Sequence, residues 1–446
     1  MIQKFDVVVI GSGVAGKSVA SGLAAADKNV AIIENDLWGG TCPNRGCDPK
    51  KVLVSALEAK TKASQLNGTG VDDASSINWS DLMAFKETFT APVPEQSRNS
   101  LQSSGVATYS GTAEFIDQNT LRVNDSLLTA KRFVIASGAH PSILDIEGKE
   151  HFLNSDDFLS LPQMPGSVTF IGGGYIAFEF AAIVAAAGSK VHVVQHNSTP
   201  LKQYDQSLVR DLMTQLETKG VTFHLDTAIS SIKKDSNGFR VTDDHNFSLH
   251  TDLVFCTTGR DPNTDELKLQ NAHVDYDTKG IRVNDYLQTT NPAVYALGDV
   301  LSKKQPKLTP VSSLEASYIV SLLTEKINHP LVYPSIPTIV FSSPKLAQVG
   351  VSTKEAEADQ NKYEVSTIDA SSWFSYKRQN EPVSKVKIIT KKETGQIIGA
   401  ACLNNNADEL INYFSILINL KLKADALSDI IFAYPTVASD LQHFYS

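Results

Sequence analysis

The chain has 446 residues, more than one hydrophobic core usually organises, so about two to four domains are expected. Forty basic side chains against 49 acidic ones leave a formal charge of −9, which offers no general attraction to nucleic acid or an anionic membrane surface. Hydrophobic residues at 42% and charged residues at 20% suit a globular protein, and the most apolar run, "AFEFAAIVAAAG", carries Glu179 and is too short to span a bilayer.

The N-terminal "MIQKFDVVVIGSG" enters a strand at once, so no signal peptide is expected. Cysteine usage is sparse: Cys42, Cys47, Cys256 and Cys402. That usage without an export signal fits a reducing, cytoplasmic setting, where paired cysteines tend to be catalytic or metal-binding. Cys256 and Cys402 read as buried thiols in or near strands.

The first strand, "FDVVVI", runs into "GSGVAGKSVASGLAAAD". Gly11, Gly13 and Gly16 spell G-x-G-x-x-G, the dinucleotide fingerprint, while Gly11 to Ser18 also spell the G-x-x-x-x-G-K-S phosphate loop of nucleotide hydrolases. Both need a strand, a tight turn and a helix. A dinucleotide site also needs a second strand ending in an acid about 20 positions on, to bind ribose hydroxyls. "NVAIIEND" supplies it in Glu34. The unit recurs as "VTFIGGGYIAFEFAAIVAAAGSKVHVVQ", where Gly172, Gly174 and Ala177 fit G-x-G-x-x-A without a Lys-Ser pair. The shared element is the glycine pattern, so the chain reads as an α/β protein with two Rossmann-like dinucleotide-binding domains, and Lys17–Ser18 as part of a helix face. The plainer alternative is two structural turns.

Just after Glu34 comes "WGGTCPNRGCDPKKVL". A metal reading of Cys42 and Cys47 is weak, because the chain has no second Cys or His pair at zinc spacing, and no metal site is expected. Two buried free thiols are the bland reading. Gly39, Gly40, Pro43, Gly46 and Pro49 argue instead for a constrained turn at a helix start. There the helix dipole, Lys50 and Lys51 would lower a thiol pKa and sharpen its nucleophilicity. "KASQLNGTGVDDASSINW", Lys62 to Trp79, reads as a polar connection inside the first dinucleotide-binding domain, not as a linker between domains.

From here the sequence resembles the flavin-dependent pyridine nucleotide–disulfide oxidoreductases, which include glutathione reductase, dihydrolipoamide dehydrogenase and mercuric reductase. The matching stretches are the first fingerprint with Glu34, "GGTCPNRGC", "FVIASGAHPS" (Phe133–Ser142), the second fingerprint, "TTGRDPNT" (Thr257–Thr264), "VYALGDV" (Val294–Val300), "LTPV" (Leu308–Val311) and "IPTIVFSSPKLAQVGVS". They stand in family order and span nearly the whole chain.

The resemblance implies FAD on Gly11, Gly13 and Gly16, with Glu34 at the adenosine ribose and Asp299 at the ribityl chain. Thr41, Ser137, Gly138 and Arg260 would line the flavin site, and Thr309 would lie by the ring edge. It implies that Cys42 and Cys47 form a redox-active disulfide: Cys47, nearer the flavin, the charge-transfer thiolate, and Cys42 the interchange thiol. Lys50 and Glu179 match the charge pair beside flavin N5. Gly172, Gly174, Tyr175, Ile176 and Gly259 would form the nicotinamide nucleotide site, with Tyr175 as its aromatic flap. Gln195 stands where an NAD site would place an acid, and His196 and Lys202 stand where NADP-dependent members carry arginines. NADPH is therefore expected over NADH.

The sequence departs from the family at its end. Disulfide reductases finish with "HP-T-x-x-E", whose histidine serves as acid–base in the partner's site. Here "FAYPTVASDLQHFYS" has Tyr434 at the histidine position and Ser439 at the glutamate position. An imidazole titrates near neutrality and a phenol near 10, so acid–base help worth about 10²–10⁴-fold is missing. Val14 and Ser21 also replace the Ser and Arg of glutathione reductases. Mercury reduction is not expected, because the chain lacks a C-terminal cysteine pair.

The expected architecture is an FAD-binding domain of residues 1–147 and 259–330, an NAD(P)-binding domain of 148–258, and a C-terminal α+β dimerisation domain of 331–446. The expected enzyme is a homodimeric, NADPH-dependent flavoprotein disulfide oxidoreductase with an unidentified small acceptor. The alternatives are a flavin-based quinone reductase or NAD(P)H oxidase with accessory cysteines, and a non-catalytic redox sensor on the same scaffold.

Overall fold

The computed structural model describes residues 2–72 and 76–445. The chain forms two compact units. The first comprises the chain up to Lys51, Ala84–Ser142 and Arg260–Val332. The second comprises Val52–Met83, Ile143–Gly259 and the chain from Tyr333 onward.

In the first unit, β1 (Ile2–Ile10) lies between β2 (Val30–Glu34) and the strand Ser126–Ile135, parallel to both. Val9 is in register with Ile32 and Val134. Ala107–Ser110 extends the sheet beyond β2, and Val294–Ala296 pairs with Ser126–Ile135. Val7 to Ile10 and the whole of β2 are buried, as expected of parallel strands covered on both faces. The helix α1 (Val14–Ala24) covers one face through Val19, Ala20 and Leu23.

The second unit holds a four-stranded parallel sheet in the order Val221–His224, Lys190–Val194, Ser167–Ile171, Leu253–Cys256. The helix Tyr175–Ala186 is buried almost throughout, which explains its Ala- and Phe-rich sequence. A separate five-stranded antiparallel sheet runs Thr338–Val340, Lys345–Gly350, Gln396–Asn404, Lys385–Lys391, Tyr363–Asp369. Leu410, Ile411 and Phe414 of the helix Ala407–Asn419 share its core with Ile388 and Ala400. Cys402 is buried in Gln396–Asn404, and Cys256 ends Leu253–Cys256.

The helices α2 (Thr41–Arg45) and α3 (Cys47–Gln65) come after β2, and α3 begins in the first unit and continues in the second. Of the polar connection Lys62–Trp79, Asp73–Ser75 lie outside the described residues. Its ends are helical, since α3 reaches Gln65 and Trp79 opens the helix Trp79–Thr90. Among the described residues no helix is long and apolar enough to cross a membrane.

Candidate active site

Three glycines let the backbone after β1 fold back on itself. Gly11 has φ +98°, and a Cβ there would lie 2.4 Å from the Ala136 carbonyl oxygen; a Cβ at Gly16 would lie 1.8 Å from that of Gly11. Gly13 faces Gly40, whose Cβ would fall 2.5 Å from the Gly13 Cα. The carboxylate of Glu34, buried at the end of β2, accepts from the Ser12 N–H at 2.8 Å and the Ser12 hydroxyl at 2.7 Å. That hydroxyl in turn accepts from the Gly39 N–H at 3.0 Å. The first turn of α1 holds no acidic residue. A Cβ-free turn at a helix N-terminus beside a buried carboxylate fits a dinucleotide pyrophosphate and its ribose, so these residues fit FAD.

Two further turns are tied together by Asn263, which no motif of the sequence singles out. Asn263 Nδ2 donates to the Ser137 carbonyl at 2.7 Å, the Asn263 N–H donates to the Gly138 carbonyl at 3.0 Å, and the Ser137 hydroxyl donates to the Asn263 carbonyl at 2.8 Å. Arg260 donates to the Ala139 carbonyl from the paired strand Arg260–Pro262. Asp299 sits half-buried in the single turn Gly298–Val300.

The two N-terminal cysteines meet around one hydroxyl. Gly46 breaks the chain between α2 and α3, and a Cβ there would lie 3.0 Å from the Cys42 Cα. Thr309, first residue of the helix Thr309–Leu323, donates through its hydroxyl to Cys42 Sγ at 3.3 Å and lies 3.6 Å from Cys47 Sγ. Both are thiols in this structure, Cys47 exposed and Cys42 half-buried. Their acidities split. The hydrogen bond from Cys42 does most to pull Cys47 down, to about 6, with the Thr309 hydroxyl and the Lys50 charge helping against partial desolvation by the surrounding protein. Cys42 is pushed up, first by holding the shared proton and then by burial. Cys47 is also the first residue of α3, at the positive end of its dipole.

In the second unit, Gly172 has φ +107° and a Cβ there would lie 2.7 Å from the Thr257 carbonyl oxygen. Gln195, buried at the end of the Lys190–Val194 strand, accepts from the Gly173 N–H at 2.7 Å. Its amide nitrogen donates to Asn197 Oδ1 at 3.0 Å, and Asn197 Nδ2 lies 2.9 Å from His196 Nε2. His196 and Lys202 are exposed. Tyr175 opens the helix Tyr175–Ala186 with its side chain exposed and Ile176 half-buried behind it, while Gly259 has φ +147°. Glu179, buried one turn later, accepts from the Phe341 N–H at 2.8 Å. Lys50 lies in the other unit.

Tyr434 precedes a cis proline, is exposed, and stacks on Phe374 with centroids 6.2 Å apart. The Ser439 hydroxyl closes the local turn by donating to the Thr436 carbonyl at 2.7 Å. Asp440 accepts from the Ser375 hydroxyl at 3.1 Å, and His443 packs edge-on against Trp373. These groups are engaged elsewhere than at the tyrosine. Among the described residues no group of three or more His, Cys, Asp or Glu is arranged to hold a metal ion.

Residues 5–316 match the family described as pyridine nucleotide-disulphide oxidoreductase, and residues 336–444 match its dimerisation domain. The chain belongs to that family. It is 28% identical to glutathione reductase of Burkholderia cepacia, over 98% of this chain and 97% of that protein. It is 27% identical to dihydrolipoyl dehydrogenase of Bacillus subtilis, over 98% and 96%. Among solved structures it is similar to the HOCl-induced flavoprotein disulfide reductase RclA of Escherichia coli, with 27% identity, a TM-score of 0.90 and 99% of each chain covered. A Cu(II) complex of RclA matches with a TM-score of 0.89, 27% identity and 98% of each chain covered. The protein is therefore an enzyme, a flavoprotein disulfide oxidoreductase of mixed α/β fold, from a family that works with FAD and a nicotinamide dinucleotide.

Proposed function

We propose that the enzyme takes two electrons from NADPH through FAD to a Cys42–Cys47 disulfide, and passes them from the resulting thiols to a small acceptor. The observation that carries this reading is the sulfur pair around the Thr309 hydroxyl, with one sulfur made acidic and the other basic. Bound FAD supplies the electron relay between nicotinamide and sulfur. The protein's own part is proton management. Two electrons and two protons open the disulfide to two thiols. Cys47 gives up its proton near neutrality, while Cys42 keeps one until an acceptor arrives. Cys42 then attacks an acceptor disulfide, its proton leaving with the first acceptor thiol, and the Cys47 thiolate closes back onto Cys42, restoring the disulfide and expelling the second acceptor sulfur, which takes a proton from solvent. Lys50 and Glu179 are proposed as the family's charge pair beside the flavin.

Gln195 supports NADPH over NADH, because its amide brings no charge to repel a 2′-phosphate, with His196 and Lys202 as candidate partners of that phosphate. The proposed domains are residues 1–147 with 259–330 for FAD, 148–258 for NAD(P) and 331–446 for a homodimer interface. Tyr434 would serve the site of the other copy.

Tyr434 points to a second acceptor class. A phenol is a poor base near neutrality, so acceptors that need little acid–base help are favoured. Quinones and Cu(II), the ion in the complex of the solved relative, are such acceptors. Each Cu(II) takes one electron, so one NADPH reduces two ions to Cu(I).

The deciding experiment monitors NADPH oxidation against a disulfide, a quinone and Cu(II), in wild type and Cys42→Ser, alongside anaerobic NADPH titration of wild type and Cys47→Ser. Long-wavelength thiolate–flavin absorption should appear in wild type and vanish in Cys47→Ser. If that absorption persists in Cys47→Ser, and Cys42→Ser keeps full turnover with every acceptor, the sulfur pair is accessory and the enzyme works through its flavin alone.

A further inference from the structure

The connection from the Asp299 turn to the Thr309 helix reads "GDVLSKKQPKLTPVSSLEAS", Gly298 to Ser317. It carries Lys303, Lys304 and Lys307. One of them is turned inward: the Lys303 side chain is 6% exposed, and its Nζ donates to Oε1 of the fully buried Glu315 at 2.5 Å. The other oxygen of the same carboxylate accepts from the Gly298 N–H at 2.7 Å. Glu315 lies in the helix Thr309–Leu323, so one side chain of that helix grips both the first residue of the Asp299 turn and the strand of chain leaving it.

The surroundings leave this turn little freedom. Gly298 has φ +80°, and a Cβ there would lie 3.4 Å from Ser312 Oγ and 3.6 Å from the Ala15 Cβ. The turn therefore sits against both α1 and the Thr309 helix. Those two helices approach closely at Gly22, where a Cβ would lie 2.8 Å from Val320 Cγ2. The same Thr309 helix begins with the hydroxyl that holds both sulfurs. A buried ion pair adds little net stability over apolar side chains of the same volume, but removing one partner leaves an unmatched buried charge. What it can supply is a fixed register.

We propose that Lys303 and Glu315 are a positioning pair for the flavin. By anchoring Gly298 and the connection to the Thr309 helix, they set the spacing between Asp299, which would hold the ribityl chain, and Thr309, which holds the sulfurs. Glu315 acts through the backbone of Gly298. The inference rests on the proposed role of Asp299 at FAD.

The test is FAD binding to deflavinated protein, monitored by flavin fluorescence, in wild type, Glu315→Gln, Lys303→Met and the double variant. The long-wavelength thiolate–flavin absorption per bound flavin is read at saturating FAD. Glu315→Gln leaves Lys303 buried without its counter-charge, and should weaken FAD binding about tenfold or more and lower the absorption per flavin. In the double variant the glutamine still accepts from Gly298 and no buried charge remains. Affinity should return to within about threefold of wild type, and the absorption should recover. The proposal is overturned if Glu315→Gln binds FAD within about twofold of wild type, if the double variant is no better than Glu315→Gln, or if affinities change while the absorption per flavin never does. Should Glu315→Gln fail to fold, Lys303→Met alone decides: unchanged affinity and unchanged absorption overturn the proposal. A wild-type protein that takes up no FAD would instead sink the flavin-site reading itself.

Discussion

The two strand–turn–helix units of this chain use the same backbone device with different closing residues. In the first, the Glu34 carboxylate receives the Ser12 N–H at 2.8 Å; in the second, the Gln195 amide oxygen receives the Gly173 N–H at 2.7 Å. Turn geometry and ligand choice are therefore separable. The hydrogen bond shapes the turn and needs only an acceptor oxygen, while the charge on that oxygen bears on which nucleotide is welcome. The two units also lead into different segments. The first runs on through Gly39 and Gly40 into the two cysteines, and the second runs on through Pro200 and Leu201 into a helix capped by Asp205.

Breaking each glycine turn in isolation should have the largest effect. Gly11→Ala and Gly172→Ala both force a side chain to φ near +100° and push Cβ onto a backbone carbonyl oxygen. Gly11→Ala should purify without flavin, judged by the visible flavin absorbance per polypeptide. Gly172→Ala should stay yellow, yet its flavin should be reduced by NADPH on the order of a hundredfold more slowly. If Gly172→Ala also loses its flavin, the two units are not independent and the comparison fails.

The cysteine segment that sets the first unit apart responds to pH. Cys47 is pulled below the ordinary thiol value of about 8.5, so its thiolate is present above about 6 and is lost as pH falls through that value. Its contribution to stability has the same sign: complete above the unfolded-state thiol value, and lost on acidification through about 6. Cys42→Ala removes the hydrogen bond that contributes most to the shift. The midpoint for Cys47 alkylation by iodoacetamide should then move up by about one to two pH units. A midpoint that stays put would assign the acidity to the Thr309 hydroxyl, Lys50 and the α3 dipole instead.

These differences were unevenly legible in the sequence. Gly11, Gly16 and Gly172 could be read because their constraint is local: a fixed spacing between a strand and a helix. The strand-end position of Glu34 and the turn that carries Cys42 and Cys47 are equally local, while the roles expected of them came from the resemblance. Asn263 could not be read, because its bonds to Ser137 and Gly138 join segments far apart in the chain, and an asparagine after a proline looks like any turn residue. Ser12 was hidden inside the fingerprint as one of its variable positions. Thr309 could be matched to the flavin edge by motif order, but its reach to both sulfurs depends on where the helix Thr309–Leu323 begins in space. The two strand–turn–helix units on parallel sheets were legible from apolar runs and repeated glycines, whereas the pairing of Val294–Ala296 with Ser126–Ile135 was not.

Exchanging the closing residues tests the charge argument directly. Gln195→Glu keeps an acceptor for the Gly173 N–H and adds the carboxylate that the first unit already has. The KM for NADPH should rise about tenfold or more, while that for NADH changes little or falls. Glu34→Gln is the mirror change and should weaken FAD binding by a smaller factor, since Ser12 keeps its acceptor. An equal rise in KM for both nicotinamide nucleotides with Gln195→Glu would mean that the turn itself had been distorted.

The smallest effect should come from improving the second unit. His196 is exposed and already lies 2.9 Å from Asn197 Nδ2, so it offers a 2′-phosphate at most a single, solvent-screened contact. His196→Arg would bring a planar fork suited to a phosphate. The KM for NADPH should fall about threefold at low salt, with the gain shrinking as ionic strength rises and NADH unaffected. Salt dependence is the decisive part: a gain that survives high salt, or that extends to NADH, would come from packing rather than charge. The residue beside Gln195 would then have no part in telling the two nucleotides apart, and Lys202 would be the remaining exposed cation proposed to do so.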